Sequence, residues 1–150
     1  MTFHLRPYRS ADFDAAMQLW LETWQATYPD IDFSERLDWW KQRWLNELLV
    51  VGEVIAATDD AKNLVGFVAL TPATGYLDQL VVVPSLQGQG LGKLLLDYVK
   101  GRADKRVDLH VNQSNIQALN FYRSQGFKIT HEAVNPNSGL PTYAMRWQKA

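Results

Sequence analysis

Val81-Val82-Val83-Pro84-Ser85-Leu86-Gln87-Gly88-Gln89-Gly90-Leu91-Gly92-Lys93 is the stretch on which the reading of this chain turns. A β-branched run gives way to a loop with three glycines in five positions, and residues 91–99 then carry apolar side chains at helical spacing. Glycine tolerates positive φ and lets a ligand approach with no Cβ in the way. The loop also opens a helix, whose first amides lack intrahelical partners and sit at the positive end of the dipole, so the segment suits a phosphate or pyrophosphate.

Spacing separates three kinds of anion cradle. A Walker A loop needs Gly five places before the Gly of Gly-Lys and Ser or Thr after the Lys, and those places hold Gln87 and Leu94. A G-x-G-x-x-G dinucleotide fingerprint meets Gly88 and Gly90 but has Lys93 where its last glycine belongs; Asp108, twenty residues after Gly88, keeps that reading weakened and open. The third pattern, Q/R-x-x-G-x-G/A, is matched by Gln87, Gly90 and Gly92.

Outward from the loop, the chain alternates between two periods. Residues 3–6 read as a strand stopped by Pro7, and Ser10 as the cap of a helix whose Phe13, Met17, Trp20 and Trp24 form one apolar face. Ser34 is expected to cap a second helix, with Leu37, Trp40, Trp44, Leu45 and Leu48 on its buried side. Residues 54–58 and 64–71 read as a β-hairpin, and residues 76–83 as the strand that feeds the glycine loop. Three strands on short turns make an antiparallel meander, which argues against the βαβ start of a dinucleotide fold. A helix over residues 90–102, expected to bury Leu91, Leu94, Leu95 and Val99, leads to a strand over 106–111; this connection implies that strands 76–83 and 106–111 are parallel. A helix over 115–125, closed by Gly126, and an antiparallel pair over 127–134 and 142–147 complete the sheet.

The composition fits one globular domain over residues 1–150, with 47% hydrophobic and 21% charged residues. Net charge is −1 and no basic run exceeds two residues, so nothing points to nucleic acid or an anionic membrane as partner. Without cysteine there is no disulfide, thiolate metal site or thiol nucleophile, and no metal is expected. An apolar leader or span is also missing from the sequence, so the expected location is cytoplasmic.

The segment Asn112 to Phe127 supplies a second motif. Asn115, Ala118, Phe121, Tyr122, Gly126 and Phe127 match N-x-x-A-x-x-F-Y-x-x-x-G-F. With the Gln87 loop before it, in this order and at this separation, the chain resembles the GNAT superfamily of acetyl-CoA-dependent N-acetyltransferases, most strongly over residues 60–130. That resemblance implies an α/β fold: a mixed sheet with an antiparallel meander, a central splayed parallel strand pair and about four helices. It implies an acyltransferase that moves acetyl from acetyl-CoA directly to a primary amine; a non-catalytic acyl-CoA sensor is the alternative. The partners are then acetyl-CoA and an amine acceptor, with a homodimer left open.

Acyl transfer from a thioester to an amine requires a deprotonated amine, a donor for the developing oxyanion and a proton for the departing thiolate. The resemblance puts the Tyr122 hydroxyl beside the CoA sulfur as the acid, and Asn115 on the same helix face near the pantetheine. It puts pantetheine along Leu80, Val81 and Val82, with the Val82 amide toward the thioester carbonyl, and the pyrophosphate on Gln87, Gly88, Gln89, Gly90, Leu91, Gly92 and Lys93. Many members of the family that the chain resembles use a Glu, or water relayed by one, and some place it five residues before the motif Asn, where His110 stands. Imidazole is a competent base at neutral pH. Asp78 is the rival, and a relayed water the third alternative. Ser114 stays open as a nucleophile.

Five of the six tryptophans lie between Trp20 and Trp44. Most such residues serve as core. Trp24, Tyr28, Trp39 and Trp40 are the candidates for an acceptor pocket. Trp39 and Trp40, adjacent and thus about 100° apart on a helix, cannot both occupy one narrow core stripe, so one is expected to be exposed or to face a ligand.

Overall fold

The computed structural model describes residues 2–150. Its frame is a seven-stranded sheet in the order β1-β2-β3-β4-β5-β7-β6. The strands are β1 (His4–Pro7), β2 (Glu53–Thr58), β3 (Leu64–Thr71), β4 (Tyr76–Val82), β5 (Arg106–Asn112), β6 (Lys128–Val134) and β7 (Pro141–Gln148). β2, β3 and β4 form the expected meander, and β4 and β5 are the one parallel pair among the described residues. β7 inserts between β5 and β6, antiparallel to both.

Residues 65–70 of β3 are buried without interruption, as happens when both faces of a sheet are covered. One face, carrying Val68 and Leu70, packs under α4 (Leu91–Arg102) and α5 (Ile116–Ser124). The other, carrying Phe67, Ala69 and Val81, packs under α1 (Phe13–Thr27) and α2 (Leu37–Arg43). α2 runs on through a π-helical turn (Trp44–Leu48) into a last short turn, α3 (Leu49–Val51). The tryptophans fill this second core: Trp20 stacks on Trp40 at 4.9 Å, and Trp44 meets Phe67 edge-on at 5.2 Å.

Four local expectations are corrected. Ser10 does not cap the first helix. Instead Asp12 accepts from the Arg9 amide at 2.8 Å and takes both Arg6 guanidinium nitrogens at 2.7 and 2.8 Å. The Arg6 hydrogen bonds hold its carboxyl well below the usual carboxylate range, and a charged acceptor outcompetes a hydroxyl. Nor does Ser34 cap the second helix, because Asp32 Oδ1 accepts from the Ser34 amide at 3.0 Å and opens a short 3₁₀ turn (Phe33–Arg36). Leu45 is exposed beside the buried line of Trp40, Trp44 and Leu48, whose four-residue spacing leaves it off their face. On α4, Leu96 is buried and Leu94 is partly exposed, because the helix is covered by the sheet on one side and approached by α5 on another.

Candidate active site

β4 and β5 touch at their start and then part. Tyr76 opposite Asp108 is their one paired position among the described residues. The register between β3 and β4 shifts so that Gln79 faces Ala69 and Leu77 faces Leu70, which leaves Asp78 as the extra residue of a bulge. Bulges bend a strand and raise its twist, and β4 leaves β5 past this point. The gap is a cleft of about 1050 Å³.

The free edge of β4 forms one wall. The Val83 amide donates to Val65 O at 2.9 Å, and Gly66 lies opposite Val82. Val65 and Val83 are therefore a hydrogen-bonded pair, and the backbone groups of Val82 and Leu80 turn away from β3 toward the gap. Gln87 joins the loop to its neighbours, with Nε2 donating to Val82 O and Oε1 accepting from Gln117, both at 3.4 Å.

The glycine loop closes one end. Gly88 and Gly90 have φ of +81° and +87°, and a Cβ added at either would meet nothing within 4 Å. They present bare backbone to open space at the start of α4, a cradle that fits a pyrophosphate. Gly92 also lines the cleft, and a Cβ there would lie 3.4 Å from the Phe121 ring, in contact with α5. Gln89 lies outside the cleft lining and the Leu91 side chain is in the core, which leaves their backbone for any ligand. Lys93 lines the cleft but pairs back along its helix with Asp97 at 2.7 Å.

This geometry sets a test of the cradle. Gly90→Ala projects a methyl into the open space and strains a left-handed residue, so CoA affinity should fall about tenfold, roughly 1.4 kcal/mol. Gly139→Ala is the control: its φ is +73° and its surroundings are equally open, so it carries the strain without the phosphate. Calorimetric titration with CoA should separate the two; equal affinities would remove the cradle.

Tyr122 and Asn115 face the cleft from α5. The Tyr122 ring packs edge-on against Phe121 at 5.2 Å and Phe127 at 5.5 Å. Burial pushes its phenol up, so it is protonated throughout the neutral range. Asn115 caps α5 by accepting from the Ala118 amide at 3.2 Å through Oδ1, so a ligand bond would fall to Nδ2.

Two polar pairs line the part of the cleft where β4 and β5 begin to part. Asp78 accepts from Arg43 Nη1 at 2.9 Å and Nη2 at 2.5 Å, and from Gln79 at 3.2 Å. His110 Nδ1 lies 2.8 Å from the Tyr76 hydroxyl. Burial, with the Asp78 charge adding, pushes that phenol up to about 12.

The aromatic candidates divide. Trp40 is 1% exposed and belongs to the core, although its edge reaches the lining, whereas Trp39 is 45% exposed and faces the cleft. Trp24 stacks on Tyr28 at 6.1 Å, and the Tyr28 hydroxyl meets Ser114 Oγ at 3.0 Å. That contact occupies Ser114 and ties the end of α1 to the loop before α5. His110, Asp78, Tyr122, Asn115, Trp24, Tyr28, Trp39 and the outward edge of β4 thus share one cleft.

Arg43 and Tyr76 were absent from the sequence candidates. Arg43 stands four residues after Trp39, hence on one helix face with it. Tyr76 precedes Asp78 by two on a strand, hence shares its side. Both spacings are visible in the sequence, and neither names a partner.

Residues 33–149 match the family described as Acetyltransferase (GNAT) domain. The chain is 28% identical over 145 residues to a peptidyl-lysine N-acetyltransferase, YiaC of Escherichia coli K12, covering 95% of each protein. It is 27% identical over 141 residues to the peptidyl-lysine N-acetyltransferase YjaB of Salmonella typhimurium LT2, covering 94% of each. Among solved structures, the PaiA N-acetyltransferase of Thermoplasma acidophilum in complex with coenzyme A superposes with a TM-score of 0.79 at 23% identity, over 99% of this chain and 100% of that one.

Proposed function

The chain belongs to the GNAT acetyltransferase family, and from that premise we propose that it transfers acetyl from acetyl-CoA directly onto a lysine side chain of a peptide or protein. The observation that carries this reading is the parting of β4 from β5 after a single paired position. Outward backbone groups at Leu80 and Val82 can take pantetheine as an added strand. The thioester supplies an activated acyl group. Gly88, Gly90 and the first turn of α4 would hold the pyrophosphate, the Val82 amide the oxyanion, and Asn115 Nδ2 the pantetheine. Tyr122, protonated and facing the cleft, supplies the proton for the departing sulfur.

We assign the base to His110. Both Asp78 oxygens accept from Arg43, which commits that carboxylate to a bidentate ion pair. The lysine acceptor is supported by the two relatives that align over nearly the whole chain. Trp39, exposed in the cleft beside Arg43, offers an apolar face for the lysine stem. The net charge of −1 is in keeping with a peptide acceptor rather than nucleic acid, and we place the reaction in the cytoplasm.

A panel of lysine peptides, free lysine and polyamines, followed by CoA release, tests the acceptor. Peptide lysines should give the highest kcat/KM; a strong preference for a polyamine or free lysine would overturn it. Within the panel, Trp39→Ala should raise the KM of the peptide several-fold and leave that of acetyl-CoA unchanged. Equal changes in both, or in neither, would remove Trp39 from the acceptor site.

A further inference from the structure

The contact between Tyr76 Oη and His110 Nδ1, at 2.8 Å, constrains how His110 can act. A neutral imidazole has one donor and one acceptor nitrogen. Burial keeps the Tyr76 phenol protonated at neutral pH, so its hydroxyl has a proton to give, and the tautomer that matters for the base is the one in which it donates to Nδ1. The imidazole proton is then on Nε2, and the only lone pair that can receive another proton lies at Nδ1, behind the Tyr76 oxygen.

We propose that Tyr76 is a proton relay for the reaction, its Oη taking the proton from the acceptor ammonium while its own proton passes to His110 Nδ1. This rests on His110 as the base. An N–H bond of the ammonium breaks as an O–H bond forms at Tyr76; the original Tyr76 O–H bond breaks as Nδ1–H forms. Tyr76 ends neutral, the amine gains its lone pair, and the positive charge moves from ammonium to imidazolium. No further reactant is needed.

The surroundings suit such a transfer. Tyr76 and His110 both line the cleft. On the Tyr76 side Asp78 is neutralised by Arg43. Below His110 on β5, Asp108 is bridged by Arg106 at 3.0 Å and Arg146 at 2.7 Å. From β6 the His131 ring lies edge-on at 6.5 Å. Each of these carboxylates is engaged by a guanidinium.

Single-turnover kinetics across pH on Tyr76→Phe, His110→Ala and the double variant test the relay, with CoA affinity and melting temperature as controls. Each single variant should lose roughly 10²-fold in kcat/KM together with the acid limb of the profile, and the double variant should be no worse than the poorer single one. If Tyr76→Phe keeps rate and limb while His110→Ala loses them, the relay is overturned and the base survives. If His110→Ala keeps the limb, the base assignment itself fails. Should Tyr76→Phe not fold, ¹⁵N NMR of the imidazoles in the native protein decides: His110 protonated on Nε2 supports the relay, and on Nδ1 overturns it.

Discussion

Tyr122→Phe is expected to lower kcat roughly 10²- to 10⁴-fold while acetyl-CoA affinity stays nearly constant. The substitution keeps the ring and its edge-on contacts with Phe121 and Phe127, so packing is retained and only the proton donor is lost. An acid must be protonated to act, and burial raises the folded-state pKa of this phenol. Loss of its proton is thereby moved to higher pH, and no alkaline fall in rate should arise from Tyr122 in the working range. Single-turnover rates with a good peptide acceptor, alongside calorimetric CoA binding, check both parts. A variant with near native kcat under chemistry-limited conditions would overturn the acid assignment, whereas a variant that has lost CoA affinity would mean that the hydroxyl binds rather than reacts.

Trp44→Ala should be among the most damaging changes to stability, about 3–5 kcal/mol for truncating a buried Trp, out of a total of about 5–15 kcal/mol for a domain of this kind. Trp44 is fully buried and its ring touches Tyr8, Trp40 and Phe67, joining the end of β1 to α2 and β3. Truncation would leave a void against all three rings. Trp44→Phe should be much milder, because the indole Nε1 finds no acceptor among the described residues, so no hydrogen bond is broken. Trp39→Ala, on the exposed side of the same helix, should change stability by less than about 1 kcal/mol. Urea unfolding of the three variants gives the order; a Trp44→Ala protein as stable as Trp39→Ala would remove Trp44 from the core.

The two predictions divide the tryptophan-rich segment in the way the sequence only half reveals. Adjacency of Trp39 and Trp40 forces them onto different faces of a helix, and the burial of Trp40 with exposure of Trp39 follows that rule. Which of the two turns inward depends on where the sheet lies. The same limit appears at the helix starts, where Ser10 and Ser34 look like caps but lose the position to Asp12 and Asp32. Asp12 wins by recruiting Arg6, only six residues back but in β1, so the pair forms once the chain has turned from strand to helix.

Local chemistry determined the order and kind of the elements. Period-two and period-3.6 runs, the glycine turn after β4, the Asn115 cap and the Gly126 stop each act over a few residues, so the meander, the parallel pair and the glycine loop that opens α4 could be read directly. Tertiary structure decided what the cleft contains. The insertion of β7 beside β5, the bulge at Asp78 and the parting of β4 from β5 are matters of register between distant strands. The polar pairs depend on them: Arg43 reaches Asp78 across 35 residues of chain, and Tyr76 reaches His110 across 34. Partners at such separation meet only once the sheet is assembled. A carboxylate and an imidazole that are both candidates for the base in the sequence thereby acquire different partners, the one a guanidinium and the other a phenol.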